Sequence, residues 1–229
     1  MANLKLNIQR FDGGDTRLDY NPNETQSFIG ALQPAVQSVE SGILTITQGI
    51  DQLVKDWGDE RADEHGNQFN QEYKNLIRSA MEYVNSIGLF ARDTANAFAN
   101  QYGIGTSYNY NPTDISKEPD DFQKTNSNGL TGPVSDGIDQ TFLKSYNSGM
   151  EKLNDALKQL KSALEMNPNA FTPDIEEAAS NTINEENAKF QRAIEATSRA
   201  YYDFLAPYIS EAMSLNVQGS NAAAGAGSN

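Results

Sequence analysis

From Phe28 onward the apolar residues recur at Phe28, Leu32, Val36, Val39, Ile43, Ile46, Ile50, Leu53 and Trp57. The steps are mostly alternating threes and fours, the spacing of a seam between packed helices, and they predict one long amphipathic helix. Pro34 removes a backbone donor early in this run and predicts a kink or a restart there. Gly42 and Gly49 lower helix propensity but leave room for a close neighbour. A second series runs Phe69, Tyr73, Leu76, Ala80, Tyr83, Ile87, Phe90, Thr94 and Phe98. Between the two lies the polar stretch Gly58 to Gly66, which reads as a turn with frayed ends. Two long helices joined by a short turn pack antiparallel. Residues 24–102 are therefore a first helical hairpin.

Residues 103–136 break every period. Gly103, Gly105, Pro112, Pro119, Gly129, Gly132 and Pro133 punctuate a filler of Asn, Asp, Ser and Thr, which reads as a linker or a long ordered loop. Tyr108, Tyr110 and Phe122 are the side chains able to pin it to a helical surface. The helical pattern then returns as Leu143, Tyr146, Met150, Leu153, Leu157, Leu160 and Leu164. Asn167-Pro168 and Thr172-Pro173 mark the next turn, with Thr172 as N-cap and Pro173 at the first helical position. The last helix carries Ile175, Ala179, Ile183, Phe190, Ile194, Tyr201, Phe204, Tyr208 and Leu215, and Pro207 should bend it. Residues 137–217 form a second hairpin, and the Gly, Ser, Asn and Ala tail at 218–229 reads as disordered. The expected fold is all-α: two long antiparallel helical hairpins packed as a four-helix bundle, with flexible termini and an N-terminal arm over 1–23.

Charge and composition then narrow the function. The chain has 229 residues and a net charge of −14, which opposes nucleic acid as a partner because phosphate binding needs clustered Lys and Arg. No run approaches the ~18 apolar residues of a membrane span. The first residues interleave Leu4, Leu6, Ile8 and Phe11 with Lys5, Asn7, Gln9 and Arg10, unlike a secretory signal peptide. The absence of cysteine excludes disulfides, thiolate metal sites and cysteine nucleophiles. His65, the single histidine, lies among Asp59, Glu60, Asp63 and Glu64 beside Gly66, a cluster without calcium-loop spacing that reads as a solvated turn. Asp120-Asp121 and Glu185-Glu186 read as solvated acidic faces, with no apolar pocket to poise them. Gly103-Ile104-Gly105 lacks the lysine and context of a phosphate loop. The expectation is a protein that is not an enzyme and uses no cofactor, no metal and no small-molecule substrate.

The turn of the first hairpin carries a resemblance. Trp57-Gly58, followed by Phe69 and Tyr73 in a Phe-x-x-x-Tyr arrangement, resembles the WxG-type helical-hairpin proteins of type VII secretion. It covers residues 25–102, and 138–216 in outline. The family pairs acidic, cysteine-free hairpins into four-helix bundles and exports them without a signal peptide. The resemblance implies protein partners, either a further copy or a related hairpin, with Trp57, Gly58, Phe69, Tyr73 and, at the second turn, Phe171 as partner-binding candidates. The sequence departs from the family where glycine follows tryptophan directly. It departs again where no acid stands four residues after Tyr201, Tyr202 or Tyr208.

The N-terminus points elsewhere. Leu4-Lys5-Leu6-Asn7-Ile8-Gln9-Arg10-Phe11, then Asp12-Gly13-Gly14, resembles the leader that opens structural proteins of phages of Gram-positive bacteria. Ile8, Arg10 and Asp12 depart from the usual form of that leader. Two readings result: a secretion-type hairpin protein, substrate or adaptor, that leaves the cell without a classical signal peptide; or a virion head, connector or decoration component whose partners are other virion proteins.

Overall fold

A computed structural model describes residues 21–56, 62–114, 118–122, 136–167 and 173–210. The described residues contain four long helices and no strand: α1 (Pro22–Asp56), α2 (Asn67–Gln101), α3 (Asp136–Met166) and α4 (Pro173–Ala200). Two π-helical turns adjoin them, Ala62–Gly66 ahead of α2 and Tyr201–Leu205 after α4. The expected all-α fold is therefore the observed one. The arm at 1–20, Thr172 and the tail at 218–229 lie outside the described residues.

Local chemistry sets the helix ends. Asn21 caps α1: its Oδ1 accepts the Asn23 N–H at 3.0 Å, its amide donates to Glu24 at 3.1 Å, and Pro22 takes the first helical position. α1 runs through Pro34, whose missing N–H would have served Gly30, an exposed residue with open space around it. α2 ends at Gly103, which takes φ +65° so that the Ile104 N–H turns back to the Ala99 carbonyl at 2.8 Å. A π turn lies just before Pro207. There the Ala206 N–H reaches back five residues to the Tyr201 carbonyl.

The chain forms two compact units, one of residues 1–41, 78–115 and 151–191, the other of 42–77, 116–150 and 192–229. Each unit draws a segment from all four helices. α1 and α4 pass from the first unit into the second, whereas α2 and α3 pass from the second into the first. Of the strap between α2 and α3, residues 102–114 lie in the first unit and 118–122 in the second.

In the first unit, α1 meets α3 where the Ser38 hydroxyl donates to Gln159 and Lys152 donates to Ser41. α2 meets α4 through Tyr83 and Phe190, with ring centroids 5.5 Å apart. In the second unit, α1 and α3 approach closely through small residues. A Cβ on Gly149 would lie 2.7 Å from the Gly42 carbonyl, and one on Gly49 would lie 2.7 Å from Ser145. The neighbour for which Gly42 and Gly49 leave room is thus α3.

The seams match expectation to different degrees. Every apolar position expected in α1 from Phe28 to Leu53 is buried. In α3 the expected Tyr146, Leu153 and Leu160 are buried, and Phe142, Gly149, Ala156 and Ala163 take the alternate interior places one residue earlier than expected. Leu143, Met150 and Leu157 are half-buried flanks. In α2, Ala91 and Ala95 take the interior in place of Phe90 and Thr94. Small residues win these positions because only they let neighbouring backbones come close.

Candidate functional site

Trp57, Gly58 and Phe171 lie outside the described residues. The other two partner-binding candidates, Phe69 and Tyr73, are 0 % exposed. Their aromatic surface is covered by this chain's own helices in the second unit. Tyr73 donates its hydroxyl to the Ile43 carbonyl at 2.7 Å and pairs with the Thr47 hydroxyl at 3.0 Å, both on α1. Burial pushes this phenol well above the ordinary range, opposed by the hydrogen bonds to Thr47. Phe69 lies edge-on against Phe142 and Tyr146 of α3, each at 6.2 Å. The Phe-x-x-x-Tyr pair thus joins α1, α2 and α3 within one chain.

The π turns add a second cluster in the same unit. His65 is not in a solvated turn: its ring stacks on Tyr208 with centroids 4.5 Å apart, and its Nε2 lies 2.7 Å from the Tyr208 hydroxyl. Phe204 also stacks with the His65 ring, centroids 6.4 Å apart, and Glu64 lies 3.9 Å from Nε2. The histidine side chain keeps 22 % exposure, so it fastens the end of α4 to the start of α2. Among the described residues no group of three or more His, Asp or Glu side chains is placed to hold a metal ion. Burial raises the phenols of Tyr73, Tyr83, Tyr110, Tyr146 and Tyr201 above their ordinary range. That direction keeps each hydroxyl protonated at neutral pH, which is opposite to what a general base requires.

The most built feature is the strap between α2 and α3, and its partners were not singled out by hydrophobic period. In the first unit Asn96 accepts the Tyr108 N–H and donates to the Tyr108 carbonyl, both at 2.9 Å. Asn85 does the same for Thr113, again at 2.9 Å each way. Arg92 donates to the Tyr110 carbonyl, and the Tyr110 hydroxyl donates to the Val84 carbonyl. The Tyr110 ring lies where a Cβ on Gly88 would be, 2.1 Å from its nearest atom, while Tyr108 packs on Ala95 and Ala99. The Thr113 hydroxyl donates to Glu40 of α1.

In the second unit the device recurs. Asn67 holds both backbone groups of Phe122 at 2.9 Å, Asn70 donates to the Asp120 carbonyl, and Asp51 accepts the Asp120 N–H. The Phe122 ring occupies the space above Gly66, and Lys74 pairs with Asp121 at 2.8 Å. The expectation that Tyr108, Tyr110 and Phe122 pin the connection is met, since all three are buried. A signal for the receiving residues does exist in the sequence. Asn67, Asn85 and Asn96 stand 18 and 11 residues apart, close to whole numbers of helical turns, on one stripe of α2.

Among the described residues no helix is long and apolar enough to cross a membrane. Comparison with protein-family models, with curated proteins and with solved structures finds no match.

Proposed function

We propose that this chain is a non-enzymatic, helical interaction protein of the secreted WxG-like kind, acting as a type VII substrate or adaptor. The observation that supports the reading is the Phe69 and Tyr73 pair. It seats α2 against α1 and α3 inside a four-helix unit, the arrangement that paired hairpins of that kind reach with two chains. On this reading the chain is a fused pair that needs no second hairpin to cover its aromatic seam. Its partner contacts then fall on the hairpin turn with Trp57 and Gly58, on the second turn with Phe171, and on exposed apolar residues such as Leu44. Partners are proteins, and the chain leaves the cell without a classical signal peptide.

A second reading rests on a separate observation, the leader sequence from Leu4 to Gly14. It makes the chain a virion component in many copies, contacting other virion proteins. One experiment separates the two. Culture supernatant of the source bacterium is spun at particle-sedimenting speed, and the chain is located by mass spectrometry. Recovery in the soluble fraction, lost when the export ATPase is deleted, supports secretion. Recovery in the pellet in fixed ratio with capsid or tail proteins overturns it in favour of the virion.

A further inference from the structure

In the second unit the aromatic rings form a continuous series that ends in water. Tyr146 stacks on Tyr201 at 4.9 Å, and Tyr201 meets Tyr202 at 5.1 Å, so three phenols lie in sequence. Tyr146 and Tyr201 are buried, whereas Tyr202 is 69 % exposed, on the outer side of the π turn. One-electron oxidation of a tyrosine near neutral pH yields the neutral phenoxyl radical, so the hydroxyl proton must leave with the electron. Burial opposes that loss at Tyr146 and Tyr201. The Tyr146 hydroxyl donates to Ser198, and that acceptor cannot take the proton. Tyr202 has water around it to receive one. No cysteine in the chain can intercept the oxidant.

We propose that Tyr202 is a site of oxidative modification, where one-electron oxidation of this aromatic series settles and through which two copies become joined by a dityrosine bond. The oxidant class is hydrogen peroxide used by a haem peroxidase. Each Tyr202 gives up one electron and one proton. The two phenoxyl radicals form a carbon–carbon bond between positions ortho to the oxygens, and the two ortho hydrogens move to the oxygens to restore both phenols. The two electrons and two protons reduce one peroxide to two waters. The inference is independent of whether the chain is secreted or part of a virion.

The test uses the full chain with horseradish-type peroxidase and hydrogen peroxide. The readouts are dityrosine fluorescence, dimer that survives denaturing electrophoresis, and cross-linked peptides mapped by mass spectrometry. The natural control is Tyr102, which is 52 % exposed and stacks on Phe98 with no phenol behind it in that pair. Tyr202→Phe should lose the covalent dimer, Tyr102→Phe should keep it, and Tyr201→Phe, whose ring is too hard to oxidise to relay a hole, should lower the yield. Far-UV circular dichroism confirms that each variant keeps its helix. Undiminished dimer in Tyr202→Phe, or cross-links mapping to Tyr102, overturns the proposal. Undiminished yield in Tyr201→Phe overturns the role of the stacked series.

Discussion

Asn85 presents both halves of its amide to one residue of the strap, so Thr113 has its backbone N–H and C=O satisfied by a single side chain. Removing that amide leaves two backbone groups without their partners, at a cost of about 1–3 kcal/mol for each that stays buried. Asn85→Ala should therefore lower the urea midpoint measurably, and increased protease cleavage near Thr113 would show that the loss lies in the strap. Gly88 works with it, because the Tyr110 ring occupies the space any side chain would need. Asparagine is a poor helix former, and three of them on one stripe of α2 contradict local propensity. Such a contradiction is the local mark of a tertiary duty, yet a reading by apolar period passes over it because asparagine and glycine carry no hydrophobic weight. His65 departs from the expected solvated turn for a related reason. Its acidic neighbours in sequence suggest a solvated turn, but its stacking partner Tyr208 stands 143 residues away.

At the scale of elements, the α1–α3 contact in the second unit depends on glycine at particular places. Gly149→Ala would put a methyl 2.7 Å from the Gly42 carbonyl and 2.3 Å from Ile46, forcing the helices apart at about 1–3 kcal/mol. Gly30→Ala meets nothing within 4 Å in an exposed helix position and should stabilise by about 0.5–1 kcal/mol. Thermal melts of the two variants should thus move in opposite directions, and a common direction would contradict this account of the seam. The strap segment of the first unit has its own titration. Burial, and then the Glu40 charge, push the Tyr110 phenol up to about 12. Its folded value lies above the unfolded value of about 10, so its contribution is complete below about pH 10 and is lost as pH rises toward about 12. Tyrosinate absorbance at alkaline pH should rise together with loss of strap protection in hydrogen exchange, and Tyr110→Phe should uncouple the two.

At the scale of the whole chain, α2 and α3 both pass from the second unit into the first, and the strap between them is fastened in each unit. Replacing residues 103–135 with eight Gly/Ser residues removes Tyr108, Tyr110 and Phe122, the buried side chains that fasten it. The variant should lose helix content in circular dichroism and lower the urea midpoint, because the helix faces those rings cover become exposed. Unchanged helix content and midpoint would refute a structural role for the strap.

Much of this architecture is legible in the sequence because helices are local. The α1 seam, the four helical stretches and the anchoring roles of Tyr108, Tyr110 and Phe122 follow from period and from punctuation by Gly and Pro. Even the start of α1 is written locally, in Asn21-Pro22-Asn23-Glu24, although the apolar run alone begins later at Phe28. Which segments of the four helices share a unit, the turning of part of the α3 interior face toward Gly149, Ala156 and Ala163, and the seating of Phe69 and Tyr73 inside the chain were decided by tertiary structure. Each depends on which backbones come close enough to require a small residue, or on which distant polar group completes a hydrogen bond. Those are relations between segments far apart in sequence, and no period within one segment encodes them.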